Sequence, residues 1–203
     1  MDVWDLILRQ HAITHSAEVA GEAGDSLGDD PFAEMTDDQV RRQPHGLNSV
    51  AWLVWHIARC EDVVATTILA RQHQVLDEGD WPGRLRVHRR DIGAEMTTHE
   101  VGELSAVIDI PSLRAYRVAV GRRTSAWIQS LPTTGLDEVI PEEGVRDALA
   151  QGALIDKARP IGDFWLKRPK PWFLYWEIIG HNYVHLGQAL WVRRLVKAET
   201  DGG

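Results

Sequence analysis

The chain has a single cysteine, Cys60, so no disulfide can close within it and the fold must rest on packing. Long apolar runs are also lacking. Hydrophobic residues make up 44% of the 203, yet no run reaches the ~18 residues that a membrane span requires, so no membrane partner is expected. The N-terminal stretch lacks the basic, apolar and small-residue zones of a secretory leader and carries Asp2 and Asp5 instead, so a cytoplasmic location is expected. Lysine is scarce, four against eighteen arginines, which together with abundant Ala and Gly points to a GC-rich bacterial coding sequence. Excess positive charge is absent too. A formal net charge of −8 repels phosphate backbones, and nucleic acid is not an expected partner. Arg84, Arg86, Arg89 and Arg90 are the main basic concentration, and they read as a solvated loop.

What the chain does have is helical periodicity, punctuated by Pro and Gly. Its length fits one domain spanning residues 1–203. A first helix is expected over about Val3 to Ala23, ended by Gly21, Gly24 and Gly28. Thr36 and Gln39 match a capping box for a short turn that Pro44 and Gly46 interrupt. Asn48 or Ser49 can cap a second long helix through residue 72, apolar almost all round near Trp52 to Ile57 and hence destined for a core. Residues 77–108 read as a long connection with one short helix capped by Thr97 and Glu100. Asp109 and Pro111 open a third long helix that ends before Pro132, and an amphipathic piece is expected around Val145 to Ile155. Pro171 opens the last helix, which closes on Arg193, Arg194 and Lys197. Four long helices without alternating strand patterns predict an all-α fold, a four-helix bundle with additional short helices in its long connections.

Chemistry concentrates in the last helix. His181 and His185 stand four apart, which places both imidazoles on one helical face, amid Ile178, Ile179, Leu186, Leu190 and Trp191. Protonated histidines are costly in such surroundings, whereas metal ligation uses the neutral ring. His56, mid-helix in WLVWHIA, must face the same interior and is the third expected ligand of one divalent metal. His11, His15, His45, His73, His88 and His99 fall near polar segments and are expected in solvent. Glu177, one turn before His181, is a candidate to orient an imidazole or move a proton, with a surface glutamate as the alternative. Gln188 continues the histidine stripe, and it and Trp52 are candidates for a substrate pocket wall. Cys60 reads as a small buried hydrophobe, and Glu61 and Asp62 as reaching solvent or an interhelical partner.

The segments GLNSVAWLVWHIARCED and GHNYVHLGQALWVRRL resemble the DinB/YfiT-like superfamily, which carries a histidine in its second helix and a closing helix of the latter kind. The resemblance implies an up-down-down-up bundle, often a homodimer, with a three-histidine metal site on His56, His181 and His185. It also implies chemistry ranging over thiol-dependent S-transferases and a mycothiol-dependent isomerase.

Three neutral imidazoles leave coordination positions free for a substrate or water. The leading expectation is a metal-dependent transferase joining a low-molecular-weight thiol such as mycothiol to a small electrophile, with zinc or nickel as the ion. A hydrolase using water, and a non-catalytic metal- or ligand-binding stress protein, are the alternatives.

Overall fold

The computed structural model describes residues 3–21, 26–132, 142–166 and 168–201. These residues are helical with no strand among them, as the periodicity predicts. The α-helices are α1 (Val3–Ile13), α2 (Ala17–Ala20), α3 (Asp37–Arg41), α4 (Val50–Asp62), α5 (Trp81–Leu85) and α6 (Thr98–Val107). Then follow α7 (Ile110–Gln129), α8 (Glu142–Ala150), α9 (Arg159–Trp165), α10 (Lys170–Trp172) and α11 (His181–Asp201). The four long helices form a ring: α7 packs on α1 and α4, α4 packs on α11, and the segment preceding α11 returns to α1. No helix among the described residues is long and apolar enough to cross a membrane.

Local chemistry sets the boundaries. Both expected capping boxes form, Thr36 with Gln39 and Thr97 with Glu100. Ser49 caps α4 by accepting from the Trp52 N–H, and Asp109 caps α7 through Ser112. All thirteen residues of α4 are buried, as an apolar circumference requires.

Five features differ from the expectation. The first helix stops at Ile13 instead of running on to Ala23, because Ser16 is extended and starts the separate α2; positions 22–24 lie outside the described residues. The second long helix ends in π-type turns over Val63–Ala70, and the last helix passes through π-type turns over Phe173–Gly180 before becoming α11. An apolar ring with no polar face gives periodicity nothing to measure, so a wider helical turn leaves no trace in the sequence. The 77–108 connection holds α5 as well as α6, and the amphipathic piece begins earlier, at Glu142.

The core has two halves. One gathers Val50 to Ala58 of α4 with Leu113, Tyr116 and Val120 of α7 and Ala189, Val192 and Val196 of α11. The other gathers Val63 to Leu69 with Trp4, Ile128, Val145, Trp165, Phe173 and Ile178. Between them along α4 lie Arg59, Glu61 and Asp62, all fully buried, so both carboxylates face interhelical partners and neither reaches solvent. Asp62 accepts from Tyr116 Oη–H (2.6 Å), Arg59 (3.0 Å) and the backbone N–H groups of Val75 and Leu76 (2.8 and 3.0 Å). Arg59 also donates to Gln74 and to the Arg90 carbonyl, tying the 71–92 connection to α4. In the arginine-rich segment, Arg84 and Arg86 are exposed as expected, whereas Arg89 and Arg90 pair with Asp91 and Asp77.

Gly121 lets α7 approach the fully buried His15 ring. A methyl group there would sit 2.4 Å from His15 Nδ1 and 2.6 Å from its Cε1. Gly121→Ala is therefore expected to lower stability by on the order of 1–3 kcal/mol in urea unfolding, despite the ~1 kcal/mol helix-propensity gain of alanine. An unfolding midpoint equal to or above that of the parent chain would mean that the ring is free to move aside.

Candidate metal centre

His56 projects from the middle of α4, and His181 and His185 from the first turns of α11, where these helices pack. Their donor nitrogens all lie within 4.8 Å of one another. His181 Nε2 is 3.2 Å from His56 Nε2 and 3.0 Å from His185 Nε2. Nitrogens bound ~2.0–2.1 Å from one tetrahedral ion stand roughly 3.3 Å apart, so these spacings fit a shared cation.

The outer ring nitrogens fix the tautomers. His56 Nδ1 contacts the Ile92 carbonyl, and His185 Nδ1 lies 2.7 Å from Gln188 Oε1. A carbonyl oxygen can only accept, so Nδ1 of both rings carries the proton and both Nε2 atoms present lone pairs to His181 Nε2. One proton on His181 Nε2 can serve only one of them well. A cation satisfies all three at once. Burial, reinforced by His185, lowers the His56 pKa to about 4, and burial with the neighbouring histidines lowers that of His181 to about 2. His185, less enclosed, is lowered too, chiefly by burial. The rings are thus neutral at pH 7, the form that binds metal.

The remaining site candidates fall around this centre. Trp52 stacks on His56 (centroids 4.8 Å apart, planes 6° apart), and its Nε1–H points at Met96 Sδ. A cavity of about 580 Å³ is lined by Trp52, His56, Cys60, Phe164, Trp165, Glu177 and His181, among others. Glu177 is 7% exposed and not a surface residue; one oxygen accepts from Trp165 Nε1–H at 2.8 Å. Burial pushes its carboxyl up to about 7, against the pull of that hydrogen bond. Cys60 Sγ lies 3.8 Å from either His56 nitrogen, and burial plus the nearby Glu177 carboxylate pushes its thiol well up, keeping it protonated. Gln188 lines a second cavity of about 470 Å³ with Leu47, Leu53, Val184 and Trp191. Asn48 lines both cavities.

Four of the six other histidines, His45, His73, His88 and His99, are exposed as expected. His11 and His15 are not: both are fully buried around Glu61. His11 Nε2–H donates to Glu61 Oε1 (2.8 Å), and His15 Nε2–H reaches both carboxylate oxygens (3.1 and 3.0 Å). Arg117 Nη1 and Asn182 Nδ2 each donate to Oε2 at 2.9 Å. This second donor trio is a poor cation site, because a guanidinium already neutralises the carboxylate and five hydrogen bonds occupy its lone pairs. Burial opposes charge on Glu61, but His15, His11 and Arg117 together hold its carboxyl well below the ordinary range. His15 itself is lowered to about 3, first by burial and then by Arg117. The spacing of His11 and His15 is the same four residues as that of His181 and His185, a signal available in the sequence. Asn182, Arg117 and Trp165 carried no such signal.

Among families of known proteins, the model described as DinB superfamily matches residues 30–189. In three dimensions the chain is similar to a conserved protein of a locus from Enterococcus faecalis, known from a crystal structure. The TM-score is 0.66 and the identity 22%, over 98% of this chain and 99% of that one. That likeness concerns the fold. No curated protein matches the chain.

Glu177 gives the centre a pH signature. The unfolded chain ionises this carboxyl near 4.5, whereas the folded chain holds its proton to about 7. The contribution of Glu177 to folded stability is therefore fully present below ~4.5 and is lost as pH rises through ~7. In metal-free protein, Glu177→Gln should match the parent chain at pH 4 and exceed it by on the order of 3 kcal/mol at pH 8 in urea unfolding. A difference that does not change with pH would mean that Glu177 titrates normally.

Proposed function

Because the chain belongs to the DinB superfamily, we propose that it is a metal-dependent enzyme that transfers a small electrophilic group to a low-molecular-weight thiol. The observation that carries this reading is the convergence of three Nε2 atoms, two of them fixed as lone-pair donors, beside a cavity whose wall His56 and His181 share with Glu177. His56, His181 and His185 would hold the ion, with zinc or nickel as the natural occupants of an imidazole set. Bound there, a divalent metal supplies Lewis acidity that lowers the pKa of a thiol or a water.

The chain's own residues supply the rest. Ile92 and Gln188 orient two of the imidazoles, so the site needs little rearrangement to accept a cation. Glu177, with one oxygen anchored by Trp165, has no second partner among the described residues and can take the thiol's proton as the sulfur–carbon bond forms. The leaving group then departs with the electrons of the bond that breaks. The pKa of Glu177, near neutrality, suits both uptake and return of that proton. Trp52, Phe164 and Trp165 give this cavity an apolar wall. Transfer is favoured over hydrolysis by the second cavity, since two chambers sharing Asn48, one carrying His56 and His181 and the other Gln188, offer room for two small molecules.

The first test is metal content per chain for the untagged protein and for His185→Ala after reconstitution with zinc or nickel. Near one ion per parent chain, largely lost in the variant, is the expected result. Product formation from an epoxide or activated aryl halide should then require both the ion and a small thiol. Turnover of an ester or amide without thiol would replace transfer by hydrolysis, and a bound ion with neither activity would leave a metal-binding protein. Absence of metal uptake by the parent chain would overturn the enzymatic readings together.

A further inference from the structure

The buried Glu61 cluster has no place in the chemistry above, and its composition excludes a second cation. Its position is more telling. Glu61 stands five residues after His56 on α4, and Asn182 immediately follows His181 on α11. One Asn182 amide group, Nδ2, donates both to Glu61 Oε2 and to the carbonyl of Ile178 one turn back. Ile178 belongs to the π-type segment Phe173–Gly180, so the bond spans the junction where the last helix returns to α geometry. Glu61 lies at the matching junction on α4, just before the π-type segment Val63–Ala70. At such junctions backbone hydrogen bonding changes from one register to the other, and the facing of the next side chains is set by whatever pins the backbone. His15 and Arg117, the latter also donating to the Thr14 carbonyl, tie the same carboxylate to the turn after α1 and to α7.

We propose that Glu61 and Asn182 are positioning residues for the metal ligand His181, the carboxylate acting as a fixed point that sets the register of α11 against α4. This rests on the three-histidine metal reading, and it assigns His11, His15 and Arg117 to holding Glu61 charged and immobile. Loss of a hydrogen-bond partner of a ligand ring typically weakens metal binding by roughly ten- to a hundred-fold, and a group that acts on the ligand through its helix is expected to cost about ten-fold.

The test uses cobalt(II) as the probe, with affinity read by chelator competition and ligand geometry by visible absorption. Asn182→Ala removes the link from Glu61 to α11 together with the bond to the Ile178 carbonyl and leaves Glu61 its other three partners, so it is expected to fold. Glu61→Gln is the stronger variant. Leu113→Ala, a truncation in the fully buried core with no part in this cluster, serves as the destabilised control. Asn182→Ala should bind cobalt about ten-fold more weakly with an altered absorption band, while Leu113→Ala should lose stability with affinity and band unchanged. Imidazole nitrogen spectra of the metal-free proteins provide a second readout, in which His181 should shift in Asn182→Ala and stay put in Leu113→Ala. Parent-like affinity and parent-like His181 resonances in Asn182→Ala would overturn the proposal. If the parent chain takes up no cobalt, the metal reading fails on its own, and the His181 resonances alone decide whether the cluster positions that ring.

Discussion

The ion pair of Glu61 and Arg117 is the constraint around which the bundle is organised. A carboxylate taken out of water costs several kcal/mol unless its lone pairs and charge are met, and here α1, α4, α7 and α11, with the turn after α1, meet at one group. Packing alone would let the helices slide, since apolar contacts are non-directional. Five hydrogen bonds to two oxygens do not. A second buried set, Asp62 with Arg59 and Tyr116, does the same work for the 71–92 connection, whose end brings the Ile92 carbonyl to His56. The polar belt thus divides the core into two apolar halves and fixes how they are joined.

The histidine centre follows from that geometry. Neutral imidazoles meeting through Nε2 are an uncomfortable arrangement in a protein without a cation, because lone pairs face each other across 3.0–3.2 Å. Protonation would relieve the conflict in water. Burial forbids it, as the lowered His56 and His181 values express. With protonation suppressed and the outer nitrogens of His56 and His185 committed to carbonyl partners, a metal ion is the occupant that would relieve the crowding. The same apolar enclosure that suppresses imidazolium raises Glu177, so the cavity holds basic nitrogens ready for a cation beside a carboxyl poised to exchange a proton.

Much of this was legible in the sequence, and what was missed has a common cause. His181 and His185 declare themselves by a spacing of four on an apolar helix, and His56 by its place in WLVWHIA. Caps at Thr36, Ser49, Thr97 and Asp109 follow from local rules and sit where those rules put them. His11 and His15 share the informative spacing but lie near polar residues, and only the distant Glu61 and Arg117 turn them inward. Trp165 and the Ile92 carbonyl reach the site from segments with no periodic signal of their own, and Asn182, although on the predicted last helix, has a partner that only the packed bundle reveals. Partners across the bundle are a tertiary property, so a one-dimensional pattern identifies donors of strong chemistry and leaves their supports unread.

The π-type segments show how local irregularity and chemistry are linked. A residue in a π-type turn rotates the chain less than one in an α-helix, so eight of them before His181 swing the faces of the following residues through a large part of a turn. An unbroken α-helix from Pro171 would present His181 and His185 in another direction relative to α1 and α7. Such wide turns are rare, and they persist where surrounding contacts hold them in place. Here the two π-type segments, Val63–Ala70 and Phe173–Gly180, pack on each other, and each abuts a residue of the Glu61 cluster in sequence or by hydrogen bond. The irregular turns therefore lie between two fixed structures, the apolar half-core on one side and the buried carboxylate on the other. That confinement allows a locally unfavourable helix geometry to aim three imidazoles at one point.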